Sequence, residues 1–173
     1  MRKWAAVTLA MLAAGGLGCS LAAQRGTSER VGKAAPEIEA QYWINTEALT
    51  LKGLQGKVAV VEFWVTWCPT CRKSIPHLIE LHKKYADRGV VIIGLTDESK
   101  QRVEAFVKKM KMTYAVGGRS PTGKAYGVTV FPTVFVVDRG GTIAWAGSPM
   151  DPGFEKAVEE QAQKVNQEPR KEK

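Results

Sequence analysis

The sequence predicts a single α/β domain organised on a mixed sheet. Three observations carry that expectation. Residues 58–65 and 90–95 are nearly continuous apolar runs, the pattern of strands covered on both faces. Each run is followed by an amphipathic stretch at three- and four-residue steps: Ile75, Leu78, Ile79, His82 and Tyr85 after the first, Val103, Phe106, Val107 and Met110 after the second. A tight-turn signal, Asp138-Arg139-Gly140-Gly141, separates apolar segments 134–137 and 142–146 and reads as a hairpin. This order of elements is that of an α/β fold. A chain of 173 residues, 45% of them hydrophobic, is long enough for one proper core.

Taken in order, the chain opens on the basic segment Met1-Arg2-Lys3 and an uncharged apolar stretch over 4–18. Spanning a bilayer takes about 20 residues, so this stretch is too short and has the size of a signal-peptide core. Residues 1–23 are assigned to a signal peptide. Two exits are open. One is cleavage near Gln24, after Ser20-Leu21-Ala22-Ala23. The other is a lipoprotein signal ending before Cys19, which makes Cys19 the lipidation site and supplies a lipid anchor. Leu17-Gly18-Cys19 resembles a bacterial lipobox, with Gly16 where that motif has Leu. Either route places the domain outside the cytoplasm, in the periplasm or cell envelope, and removes Cys19 as a thiol.

Residues 24–33 read as a polar linker, 34–166 as the domain and 167–173 as a polar tail. Within the domain, 49–57 is expected to be a short strand and turn, 58–65 a strand, and 69–88 a helix carrying Pro76 and ended by Gly89. A strand at 90–95, a helix over 98–112, a short strand at 113–116 and a turn or short helix over 120–126 follow. Asp151-Pro152 opens the last helix, Asp at the N-cap and Pro at the first helical position.

The formal net charge is +8, of which Arg2 and Lys3 contribute two. Such an excess weakly favours acidic partners or an anionic membrane surface. The positive residues are scattered among acids, with no basic stripe interleaved with aromatics, and nucleic-acid binding is not expected.

Chemistry concentrates in Trp67-Cys68-Pro69-Thr70-Cys71. A helix leaves its first N–H groups unpaired and carries partial positive charge there, which stabilises a thiolate. Cys68 falls at that end, and Cys71 lies one turn further in. Cys68 is therefore expected to attack a substrate disulfide and Cys71 to resolve the mixed disulfide. The pair would cycle through a Cys68–Cys71 disulfide and need no other cofactor. A structural staple is the plainer alternative, but a loop this tight closes little chain and stabilises little. Half a zinc site is another. Zinc takes four ligands, and besides the two cysteines only His77 and His82 are at hand, on one helix, so no metal is expected.

Glu62 is the sole charge in the run that leads into the motif. Buried, its carboxyl would hold its proton to high pH and exchange it with Cys71; at a sheet edge it would only touch solvent. Phe131-Pro132-Thr133 puts a proline directly before a strand, a position that a cis X-Pro bond accounts for and a trans proline in a loop also allows.

With these residues in hand the chain resembles the thioredoxin superfamily, and more closely its exported TlpA/ResA-like thiol:disulfide oxidoreductases. The likeness rests on Gly56-Lys57, the string from Glu62 through Trp67 to Cys71, Pro76, Tyr126-Gly127-Val128, Pro132-Thr133 and Asp138 to Gly141. It implies a thioredoxin-like fold, a central mixed sheet flanked by helices, with a TlpA-type βα insertion at about 90–116. It implies Cys68 as the attacking and Cys71 as the resolving thiol, Glu62 at the place of the buried acid, and Pro132 as the cis-proline beside the disulfide. Trp67, Pro69, Thr70, Phe131, Pro132 and Thr133 would then form the substrate-binding surface. Cys-Pro-Thr-Cys is shared with the DsbE/CcmG reductases of cytochrome c maturation, although Thr133 stands where those carry an acid. Val130 and Phe131 replace the smaller residues usual in the family. The implied partners are cysteine-containing proteins and a membrane electron donor of the DsbD type, with the protein acting as a monomer and running as a reductase.

Two other functions use the same scaffold. Thiol peroxidases, with antioxidant activity, resemble one another in a Pro and a Thr seven and three residues before their cysteine; Val61 and Val65 stand there. Copper modules of the Sco type use Cys-x-x-x-Cys and a distant His, whereas no histidine follows His82.

Overall fold

The computed structural model describes residues 29–167, with side chains to 164. The signal peptide, Cys19, the start of the linker and the tail after Gln167 lie outside the described residues. Six strands, β1 (Tyr42–Ile44), β2 (Val58–Phe63), β3 (Val90–Leu95), β4 (Ala115–Gly118), β5 (Thr133–Val137) and β6 (Ile143–Gly147), form one sheet in the order β1-β4-β3-β2-β5-β6. The helices are α1 (Pro69–Tyr85), α2 (Lys100–Met110), α3 (Thr122–Ala125) and α4 (Pro152–Gln167). The pairs β2–β3 and β3–β4 are parallel, the other three antiparallel, so the sheet is mixed as the pattern predicts.

The centre is β2, buried at all six positions. Its side chains alternate between two cores, as a strand requires. Val58 and Val60 face Ile75, Leu78 and Tyr85 of α1 and Phe154 and Val158 of α4. Ala59, Val61 and Phe63 face Ile38, Leu95, Tyr126 and Phe135. Val60 and Val61 are both fully enclosed. The covering of both faces explains why the run lacks polar alternation. Helix α2 and strand β4 lie in the span expected for the insertion, and β4 sits between β3 and β1.

Several boundaries differ from the sequence reading. Residues 49–57 hold no strand; a single 3-10 turn, Lys52–Leu54, stands there. Its backbone is taken up by side chains: the Glu37 carboxylate accepts from the Leu51 and Lys52 N–H groups, and Thr50 Oγ1 from Gly53 at 3.0 Å. Such local bonds compete with a ladder. The first strand is instead β1, three residues paired with β4 and too short to show a period. Helix α1 ends at Tyr85, and Ala86–Arg88 tightens to a 3-10 turn before Gly89, which closes it at φ 74°. Gly32 and Lys33, read as linker, bond to Ile143 at 2.8 and 2.9 Å. At the other end the Asp151 side chain accepts from the Gly153 N–H at 2.8 Å, just ahead of α4.

Candidate active site

The two cysteines sit where β2 gives way to α1. Cys68 is the N-cap of α1 and Pro69 its first residue, a position at which a missing N–H leaves nothing unpaired. The Cys71 N–H donates to Cys68 Sγ at 3.2 Å, so an unpaired donor of the first turn is aimed at the sulfur. The Cys68 thiol lies 3.6 Å from the Phe131 carbonyl oxygen. Both cysteines are free thiols; Cys71 is completely enclosed, and Cys68 retains 6% exposure. Burial, together with the hydrogen bond shared with Cys68, pushes the Cys71 thiol well above its ordinary range. The pair is thus unequal: one cysteine keeps slight exposure and has a backbone donor on its sulfur, the other is fully enclosed and holds its proton.

Glu62 is fully buried in the central strand, paired with Gly94 on one side and Val134 on the other. Burial raises its carboxyl from 4.5 to about 8, against the opposing pull of hydrogen bonds from Ser74 and Tyr114. The Ser74 hydroxyl stands 3.3 Å from Glu62 Oε1 and 3.0 Å from the Cys71 carbonyl oxygen, linking the carboxyl to the turn that carries Cys71. The Tyr114 hydroxyl donates to Glu62 Oε2 at 3.4 Å. Sequence reasoning missed both hydroxyls. Ser74 had a signal, one turn beyond Cys71 on the inner face of α1, but Tyr114 lies 52 residues away on the approach to β4.

The Phe131–Pro132 peptide is cis. Phe131 is 40% exposed and meets the 64% exposed Trp67 edge-on, with ring centroids 6.5 Å apart. Pro69 and Thr70 are exposed beside them and Pro132 is buried. Thr133 differs. Its side chain is buried and donates to the Val130 carbonyl at 2.8 Å, so it braces the turn and offers a substrate nothing but backbone. A cavity of about 410 Å³ opens next to Phe131, floored by Phe63, Leu95 and Val128 and edged by Asp97 and Lys124. His82 is half-buried with a depressed affinity for protons caused by that burial, and His77 packs against Phe154 rather than standing clear at the surface. Among the described residues, no three His, Cys, Asp or Glu side chains are grouped so as to hold a metal ion.

A Cys-x-x-Cys at a helix N-terminus, above a buried acid and beside a cis-proline on a mixed sheet, defines a thioredoxin-like protein. Residues 31–146 match the AhpC/TSA family, and the chain belongs to that family. It is 36% identical over 116 residues to the thiol-disulfide oxidoreductase ResA of Bacillus thuringiensis subsp. konkukian (strain 97-27), a match covering 65% of this chain and 66% of that protein. It is 29% identical over 150 residues to the thioredoxin-like protein YneN of Bacillus subtilis (strain 168), covering 83% of this chain and 88% of the relative. Among solved structures it resembles a thiol:disulfide interchange protein of Chlorobium tepidum TLS, with TM-score 0.63 and 28% identity over 75% of this chain and 95% of that one.

Proposed function

We propose that the protein is an extracytoplasmic thiol:disulfide oxidoreductase that reduces disulfides in cysteine-bearing proteins through Cys68 and Cys71. The observation that carries this reading is the unequal pair, one sulfur capped by the first turn of α1 and one enclosed. Cys68, as thiolate, attacks one sulfur of a substrate disulfide; the Cys68–substrate bond forms as the substrate's own S–S bond breaks, and the departing sulfur takes up a proton. Cys71 then gives its proton to the ionised Glu62 carboxyl and attacks Cys68 Sγ. The Cys68–Cys71 disulfide closes and the second substrate thiol leaves. Two electrons return from a membrane donor of the DsbD type. The names of the ResA and interchange-protein relatives support the reaction class.

Substrate would lie across Trp67, Pro69, Thr70, Phe131 and the backbone around Pro132, with a flanking side chain in the cavity beside Phe131. Location outside the cytoplasm rests on the basic and apolar leader; no helix of the described residues is long and apolar enough to cross a membrane. The test is turnover of insulin disulfides by the purified protein with dithiothreitol as reductant. Cys68→Ser is expected to abolish it, and full activity in that variant would overturn the reading. Thiol peroxidation is a second reading favoured only by the family match, and the buried Val61 and Val65 lack the polar chemistry that hydrogen peroxide requires.

A further inference from the structure

Thr66 is the last residue before the exposed Trp67 and the attacking Cys68, and it is fastened from both sides. The Glu98 carboxylate accepts from the Thr66 N–H at 2.6 Å and from the Thr66 hydroxyl at 2.8 Å. From the opposite side, the Arg72 guanidinium in the first turn of α1 donates twice to the Thr66 carbonyl, at 3.0 and 2.8 Å. Glu98 is itself anchored. Its side chain is only 8% exposed, its N–H lies 3.4 Å from Thr96 Oγ1, and its carbonyl accepts from the Tyr42 hydroxyl at 2.8 Å. Arg72 is held too, with its guanidinium over the Phe106 ring at 5.9 Å, and that ring stacks on Trp64. A carboxylate that spends both oxygens on one residue's N–H and hydroxyl makes strong, charge-assisted bonds and fixes a peptide plane, not merely a distance. Thirty-two residues separate Glu98 from Thr66, so the contact joins the end of β3 to the approach to the cysteines.

We propose that Glu98 is a positioning residue for the reaction, acting through Thr66 to hold Trp67 and Cys68 in register with the first turn of α1. The proposal rests on the reading of Cys68 as the attacking thiol. Without the clamp, the Val65–Thr66 peptide, whose carbonyl accepts from the Cys68 N–H at 3.2 Å, is free to turn, and Cys68 Sγ leaves the line of the Cys71 N–H that lies 3.2 Å from it. Thr66 also keeps its Arg72 bonds in that event, so the approach loosens on one side and does not come adrift.

The experiment is alkylation of Cys68 by iodoacetamide in a Cys71→Ser background, followed from pH 5 to 9 well below the melting temperature. It needs no substrate protein, and so separates failure of this proposal from failure of the proposed activity, which the insulin assay reads. Glu98→Ala is expected to slow alkylation at pH 7 about tenfold, the order of one charge-assisted hydrogen bond. Glu98→Gln keeps one acceptor oxygen and should recover most of the rate. Thr66→Val, which removes only the hydroxyl, should give a partial loss that does not add to that of Glu98→Ala. Arg102→Ala, which strips an exposed cation 3.3 Å from Glu98 Oε1, should stay within about twofold of the parent. An alkylation profile unchanged in Glu98→Ala, with only the melting temperature lowered, makes Glu98 a structural residue and overturns the proposal. Additive losses from Thr66→Val and Glu98→Ala overturn the route through Thr66.

Discussion

The Glu62 carboxyl has no exposed surface, and its partners are two hydroxyls rather than a cation. It therefore holds its proton to about pH 8. Two consequences follow at the scale of this residue. In catalysis, the base form appears as pH rises, so resolution of the mixed disulfide should accelerate from pH 6 and level off above about 8. Glu62→Gln should remove that inflection and slow resolution at pH 7 about a hundredfold, the usual worth of a positioned base, as stopped-flow measurement of the second substrate thiol's release would read. In stability, the sign runs opposite to that of a salt-bridged acid, whose folded pKa is depressed. The folded carboxyl binds its proton more tightly than the unfolded one, so stability is full below pH 4.5 and falls as pH climbs to about 8, by about 1.4 kcal/mol per pH unit across that window. Denaturant melts of Glu62→Gln at pH 5 and pH 8 should differ by much less than those of the natural protein.

At the scale of the element, β2 and β3 set the depth of the site. Gly94 pairs with Glu62, and a Cβ there would fall 2.7 Å from Trp64 Nε1 and 3.2 Å from the Tyr114 ring. Glycine at this point lets the buried Trp64 and Tyr114 rings pack against the strand, Tyr114 with its hydroxyl on Glu62. Gly94→Ala should cost about 1–3 kcal/mol through overpacking and lower the melting temperature by about 3–10 °C, with displacement of Tyr114 carried into the pH profile of resolution. The strands and helices that frame the site could be read from period alone, because β2, β3 and α1 are long and apolar on defined faces. The hydrogen-bond set could not. Ser74, Tyr114 and Glu98 reach Glu62 and Thr66 across 12, 52 and 32 residues, and only Ser74 is marked locally, by its place on the inner face of α1. Thr133 misleads for the same reason: its place after the cis-proline suggests a substrate contact, yet strand register turns its side chain inward to Val130. Three-residue β1 carries no period, and the Glu37 carboxylate diverts 49–57 from the strand that its Leu-Thr-Leu pattern suggests.

At the scale of the molecule, the mixed sheet follows from the order of elements, and its two enclosed cores account for the continuous apolar runs, since strands covered on both faces lose polar alternation. The described contacts begin early: Gly32, Lys33 and Ala35 already bond to Gly141 and Ile143 of the hairpin, and Ala34 bridges Thr142. A chain starting at Ala34 should therefore melt at a lower temperature than one starting at Glu29, because the Gly32 and Lys33 bonds to Ile143 are lost. Circular dichroism of the two forms checks this.

The central claim is that Cys68 attacks and Cys71 resolves, and trapping tests it most directly. Cys71→Ser, expressed with its leader and recovered under acid quench, should carry partner proteins in mixed disulfides that dithiothreitol releases, with the linkage mapped by mass spectrometry to Cys68. Cys68→Ser should carry none. Adducts absent from Cys71→Ser, or carried by Cys71 in Cys68→Ser to the same extent, would contradict the account.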